Sequence, residues 1–269
     1  MLRHVLLSAA LASATAGAAN AATLFTDTFT YPDGALVGQG GWAQVGSVAT
    51  NPVQVTSNRV GLTTSGQDVT NDFADAATSG SVYYGLDVNV STAAANGDYF
   101  AHLTQQGSTS AFLGRLFAKS TTGGFLLGVS TSSTGTGTPP AAGPASYGAV
   151  PLTFGTDYRV VVRYDIVEGT ANDTVALYVA PVATGFLSVE LENAAYVATV
   201  ATGGTDVDAA TGLGQFNLRQ GTAANAPAET VDNAVVATTF AEASAVPEPS
   251  SLALLGLAGL GLGRRRRMA

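Results

Sequence analysis

Glu190 and Glu192, in the stretch "LSVELENAAY", have the spacing of a catalytic carboxyl pair. Alternate residues of a strand point the same way, so both would share one face. Retaining glycoside hydrolysis needs two carboxyls about 5–5.5 Å apart, and such alternation supplies that separation. A solvated strand edge accounts for the pair as well, and Glu168, Glu229 and Glu242 stand isolated. A nucleophilic triad would have to use His102, in "YFAHLTQ", because the only other histidine is His4 in the N-terminal leader. No Gly-x-Ser-x-Gly elbow accompanies it, and a lone strand histidine serves structure more often than catalysis. We therefore assign no catalytic residue. One histidine cannot build a His-rich metal site. The absence of cysteine excludes disulfides, thiolate catalysis and Cys-based zinc or iron–sulfur centres.

Two other chemistries fit the residues present. Calcium takes carboxylate and carbonyl oxygens. Asp27 near the start of the body and Asp232 near its end would meet if the first and last strands pair. They are the candidate ligands for a structural calcium, with plain surface carboxylates as the alternative. Asp206 and Asp208, in "GTDVDAATG", are a weaker pair, lacking the longer D-x-D-x-D-G pattern. Sugar rings lie on exposed aromatic faces, which makes Trp42, the sole tryptophan, and Tyr83 and Tyr84 the candidate glycan contacts, with Phe100 beside them. Trp42 after "GQGG" also suits a core or edge plug. Tyr83 and Tyr84 are adjacent and must point to opposite faces of a strand, so at most one is core on that strand. Arg115, Arg159 and Arg163 have the chemistry to hydrogen-bond acidic glycans.

The elements that must position these residues read as strands. Charged residues are 11% of the 269, Gly numbers 32, and Thr, Val, Ser and Ala fill much of the rest. That composition suits short strands and turns. In "YRVVVRYDIV", Tyr158, Val160, Val162, Tyr164 and Ile166 share one face, and Arg159, Arg163 and Asp165 take the other. "DTVALYVAP" follows after a hairpin-length connection, with Val175, Leu177 and Val179 alternating inward. Similar runs at 59–64, 81–90, 99–105, 111–118, 124–130, 212–221 and 230–240 bring the expectation to around twelve strands. No helix is expected before the tail, and 22–245 reads as one β-sandwich domain. The Gly/Thr/Pro-rich stretch 130–151 is its longest loop.

The two ends are of a different kind. Arg3 and His4, the apolar to small-residue run Val5 to Ala18, and Ala19-Asn20-Ala21 compose a signal peptide over 1–21, cleaved by signal peptidase after Ala21. At the other end, 246–269 holds Pro247-Glu248-Pro249, an uncharged leucine-rich run from Ser250 to Gly263, and then Arg264, Arg265, Arg266 and Arg267. As a helix the run spans about 21 Å, short of the roughly 30 Å hydrocarbon core. The arginines resist translocation and would keep that end cytoplasmic. Without Arg3 and the four tail arginines, residues 22–245 keep six basic residues against eighteen acidic ones, a net of −12. A body this acidic repels phosphate backbones, so nucleic acid is not an expected partner.

"VPEPSSLALLGLAGLGLGRRRR" resembles the PEP-CTERM sorting signal of Gram-negative bacteria, with all three parts in order. The resemblance implies recognition and processing by an exosortase, transient inner-membrane anchoring, and an envelope or matrix destination alongside exopolysaccharide. "LFTDTFTYPDGALVGQGGW", "YRVVVRYDI", "DTVALYVAP" and the closing "VDNAVVATTF" are similar to the concanavalin A-like (LamG-type) jelly rolls. That resemblance implies that the first and last strands pair, that central strands build a concave face, and that calcium lies near the paired strands. Laminarinase-type jelly rolls carry E-x-D-x-x-E on one strand, and the third carboxylate is missing beside Glu190 and Glu192. The expectation is thus an exported, non-enzymatic surface or matrix protein, structural or adhesive, binding a glycan or exopolysaccharide. A glycan-active hydrolase or lyase on the same scaffold is the alternative.

Overall fold

The computed structural model describes residues 21–109, 111–132, 145–169, 172–186, 196–199 and 211–245. Sixteen strands and one helix lie among them. The first eight strands are β1 (Thr23–Asp27), β2 (Gly34–Ala35), β3 (Ala43–Val45), β4 (Gln54–Thr56), β5 (Arg59–Leu62), β6 (Asp68–Ala77), β7 (Gly80–Thr92) and β8 (Asp98–Gln105). Then come β9 (Leu113–Thr121), β10 (Gly124–Ser132), β11 (Ser146–Tyr147), β12 (Asp157–Ile166), β13 (Thr174–Pro181), β14 (Tyr196–Thr199), β15 (Leu213–Leu218) and β16 (Ala228–Ala237). The helix, α1 (Phe240–Ser244), follows. Ala19, most of the leader, Glu190, Glu192, Asp206, Asp208, the loop residues 133–144, and Pro247 through Arg267 lie outside the described residues.

The strands make two antiparallel sheets. One has nine strands, ordered β14-β13-β12-β7-β16-β5-β4-β2 with β1 added on β16; the other has seven, ordered β11-β10-β9-β8-β15-β6-β3. β16 is flanked by β7 on one side. On its other side β5 pairs with Glu229 to Val231 and β1 with the stretch from Ala234. First and last strands therefore do pair, and the architecture is a concanavalin A-like jelly roll.

Strict alternation builds the core. On β7, Val82, Tyr84, Leu86, Val88 and Val90 enter the space between the sheets, joined there by Tyr158, Val160, Val162 and Tyr164 of β12. Each fully buried Val, Leu or Phe contributes about 1.5–3 kcal/mol, so this layer dominates the driving force. Val175 and Leu177 of β13 lie in the same layer, with Val179 packed at its margin.

The helix departs from the all-strand expectation for 230–240. β16 ends at Ala237, and Thr239 caps α1, its hydroxyl accepting from the Glu242 amide at 3.3 Å and donating to that carboxylate at 2.9 Å. Phe240 and Ala243 then pack on the outer side of the nine-stranded sheet with Tyr83, Val161, Tyr178 and Val235, forming a second, smaller core.

Candidate functional site

Asp27 closes one end of the sandwich. Its carboxylate accepts from the Phe29 amide at 2.7 Å, the Tyr31 hydroxyl at 2.8 Å and the Trp42 indole at 2.7 Å. The amide two residues on is held in an Asx-turn, and Phe29 adopts φ 48° while its ring lies against Trp42, centroids 5.8 Å apart. Trp42 is 2% exposed among Phe25, Phe29 and Phe216, so it plugs the core and presents no ring to a sugar.

The proposed calcium pair is not brought together. Asp27 stands opposite Ala234, whose side chain enters the inter-sheet core. Asp232 stands opposite Asp87 and follows the core residue Val231, so it faces the other way. The strands pair as expected, but the pleat and a bulge between Asp232 and Val235 set the two carboxylates on opposite faces. Burial holds the Asp232 carboxyl up at about 6. Among the described residues, no three Asp, Glu or His side chains gather as a metal site would require.

Tyr83 and Tyr84 do point to opposite faces, yet both are buried. Tyr84 enters the main core and donates its hydroxyl to the Gly114 carbonyl at 2.7 Å. Tyr83 lies outside, where Phe240 of α1 covers it edge-on at 6.3 Å. Neither is a sugar platform: the inter-sheet core takes Tyr84, and the helix absent from the strand reading covers Tyr83.

Arg159 is likewise withdrawn. Only 1% exposed, its guanidinium donates to Asp87 at 3.3 Å, to the Asn233 carbonyl at 2.7 Å, and to Ala243 and Ala245 carbonyls at 2.6 and 2.9 Å. Arg163 pairs with Asp165 on the same strand face at 3.2 Å.

A different constellation occupies the outer face of the seven-stranded sheet, where β8, β9, β10 and β15 lie side by side. On β9, Leu116 and Ala118 go to the core, which turns Arg115, Phe117 and Lys119 outward. On β8 the register with β9 shifts between Tyr99 and Ala101 and again before Leu103. Residues three apart on a regular strand face opposite ways; the extra residue puts Tyr99 and His102 on one face, ring centroids 5.5 Å apart. Phe112 completes the group, 4.9 Å from His102 and 6.1 Å from Tyr99.

Cations lie over these rings. The Arg115 guanidinium sits 5.1 Å from the Tyr99 centroid and 5.2 Å from that of Phe117, and the Arg219 guanidinium is 4.1 Å above Tyr99. Lys119 rests its ammonium 3.9 Å from the Tyr147 centroid. Such contacts contribute roughly 0.5–2 kcal/mol each, more where water is excluded. Arg115 also donates to the Ser130 hydroxyl at 3.0 Å, and Arg219 pairs with Asp98 at 2.9 Å. The floor of this face (Tyr99, His102, Arg115, Phe117) is buried, and its rim (Phe112, Lys119, Tyr147, Arg219) is half-buried, the Arg219 side chain 13% exposed. Beside it, a polar row runs from Asn217 to Thr104 at 3.1 Å, Thr104 to Gln215 at 2.9 Å and Gln215 to Asp72 at 2.7 Å.

The electrostatics follow from burial. Burial lowers Arg115 to about 10, which leaves it charged at neutral pH. Burial first, then Arg219 and Arg115, pushes the His102 imidazole well below its ordinary value, so it is neutral. Neither ring nitrogen of His102 has a hydrogen-bond partner among the described residues. Burial raises the Tyr99 hydroxyl and brings that of Tyr147 to about 12, so both stay protonated. Sequence reading singled out Arg115 and His102 separately; the bulge that joins His102 to Tyr99, and the approach of Arg219 from just beyond β15, have no local signal.

Residues 245–267 match the PEP-CTERM protein-sorting motif, the address of an exported, envelope-sorted protein. No curated protein shows significant sequence similarity to the chain. In structure the chain is similar to the CBM2 module of the evolved Dit of Lactobacillus casei BL23 phage J-1, at 11% identity and TM-score 0.48, covering 81% of this chain and 96% of that one. It is similar also to the alginate lyase Aly36B in complex with an alginate trisaccharide, at 14% identity and TM-score 0.46, covering 78% and 96%. A third similar structure is the legume lectin-like domain from Entamoeba histolytica, at 12% identity and TM-score 0.42, covering 73% and 89%. Among the described residues no helix is long and apolar enough to cross a membrane.

Proposed function

We propose that this is a non-enzymatic, glycan-binding protein of the cell surface or extracellular matrix, using the outer face of the seven-stranded sheet. Its leader is removed by signal peptidase and its tail is processed by an exosortase, which leaves the jelly roll as the working part. One observation carries the binding reading. Aromatic rings and hydrogen-bonding side chains share a single sheet face, with Tyr147, Phe112, Lys119 and Gln215 half-buried at its surface and the buried Thr104 and Asn217 holding Gln215 from beneath. A pyranose has apolar C–H faces and a belt of hydroxyls, and such a surface complements both.

Affinity electrophoresis in gels cast with soluble polysaccharides tests this. At least one glycan should retard the wild type, and Tyr147→Ala should migrate closer to its position in a plain gel. If no glycan retards the protein, or the variant is retarded as strongly as wild type, the face is not a glycan site.

The competing reading, a glycan-active enzyme, is favoured by His102 alone, a neutral imidazole with a protonated tyrosine ring 5.5 Å away. Such a pair has the makings of a base and an acid. Shortening of the retained polymer, followed by viscosity and by new reducing or unsaturated ends, would replace the binding reading with this one.

A further inference from the structure

Resting on the glycan reading, we infer that the ligand is an acidic polysaccharide, a chain of sugar rings carrying carboxylate groups. The distribution of positive charge points there. Residues 22–245 hold six basic side chains, and three of them, Arg115, Lys119 and Arg219, converge on this one face. The other three lie on the opposite sheet, each in an ion pair, Arg59 with Asp157, Arg159 with Asp87, and Arg163 with Asp165; on this face Arg219 is so paired too, with Asp98. A body of net charge −12 repels polyanions at a distance, so an anionic chain can approach only where cations are concentrated.

The details of the face suit a carboxylate. Lys119 enters no ion pair among the described residues, and its ammonium stands over the half-buried Tyr147 ring at the rim. Arg115 and Arg219 stack on Tyr99, Arg219 while bonded to Asp98 at 2.9 Å and to the Tyr99 carbonyl at 3.0 Å, so both place positive charge beneath the rim. His102 supplies the independent observation. It is 3% exposed, aimed into this face, and neither of its nitrogens is hydrogen-bonded among the described residues. A buried donor left so costs about 1–3 kcal/mol, and an anionic oxygen reaching the floor would accept from it. The rim rings hold the sugar faces, while Lys119 and the imidazole N–H hold the charged substituent and the two guanidiniums add positive charge behind them.

The test uses pairs of polymers that differ only in charge. Polygalacturonate and its fully methyl-esterified form have the same backbone; alginate, hyaluronan and the neutral glucan laminarin extend the panel, and single-stranded DNA stands as a non-sugar polyanion. Isothermal titration with the mature chain should show at least one uronate polymer bound, with polygalacturonate favoured at least tenfold over its ester if it is the one retained. Lys119→Gln should weaken that binding about two- to fivefold, as expected for a partly exposed charge pair, and Lys119→Arg should restore it. Lys119 is at the rim, so neither variant disturbs the core. Binding of laminarin or the methyl ester as tight as that of the acids, or indifference to Lys119→Gln, overturns the acidic ligand and leaves the glycan reading standing. DNA bound as tightly as any uronate polymer overturns the sugar specificity. Failure of every glycan to bind removes the glycan reading itself.

Discussion

Replacing Arg159 by Met should destabilise the jelly roll by about 3–5 kcal/mol, the usual consequence of removing one partner of a buried ion pair. The guanidinium makes four hydrogen bonds: to Asp87, to the Asn233 carbonyl at the β16 bulge, and to the Ala243 and Ala245 carbonyls at the end of α1. Bonds involving a charged group contribute about 1.5–3 kcal/mol each. Against their sum stands the desolvation of the arginine, which methionine avoids; a net loss in the stated range remains. Asp87 would keep only the Asn233 side-chain amide at 2.7 Å, on a site 4% exposed. Urea unfolding followed by circular dichroism gives the free-energy difference. Limited proteolysis should show faster cleavage after residue 240, because the last turn of α1 loses the donors for its carbonyls. The double variant Arg159→Met/Asp87→Leu should recover part of the loss, since it removes the stranded carboxylate. A loss below about 1 kcal/mol, with α1 as protected as before, would refute the clamp.

Two further outcomes follow from buried carboxyls. Asp27→Ala removes the acceptor for three donors and should cost about 3 kcal/mol; the fluorescence of Trp42, the only tryptophan, should shift in the folded state, and an unchanged spectrum would contradict its indole bond to Asp27. The second outcome concerns pH. Burial holds Asp68 and Asp232 up at about 6 and Glu229 well above its ordinary value. Folded carboxyls with raised values bind more protons than unfolded ones, so their stabilisation is full below about pH 4 and is lost as pH rises through 6 and beyond. Glu229→Gln should therefore add stability at pH 8 and little at pH 4, measured as the shift in thermal midpoint at each pH.

How much of this was legible beforehand depended on the range of each cause. Alternation on β7, β12 and β13 was plain in the sequence, because period-2 patterning is a property of neighbouring residues. β6 was not, since "DVTNDFADAA" is rich in Asp, Asn and Ala and poor in the residues that mark strands; only pairing with β15 and β3 fixes it. The helix left a readable trace in Thr239-Phe-Ala-Glu242, a capping-box spacing, masked by the β-branched run before it. At the candidate site Arg115 and Lys119 alternate visibly. The union of Tyr99 with His102 depends on a bulge, and their meeting with Arg219 depends on β15 lying next to β8. Those are tertiary facts, without a local signature. Trp42 shows the converse: its type suggested a ligand contact and its place after "GQGG" a core or edge plug, and its environment decided for the plug.

Arg159 fixes Ala245, the first residue of the sorting motif, against the outer side of the nine-stranded sheet. Ala22 is tied to the same end of the chain, its amide on the Thr238 hydroxyl and its carbonyl on the Thr238 amide. The sequence therefore both enters and leaves the body along β1 and β16, at the back of the sandwich. The rings and cations of Tyr99, Arg115, Lys119 and Arg219 are on the far sheet. In a body held by whatever follows residue 245, the attachment is therefore on one sheet and this face is on the other, turned away from the point of attachment.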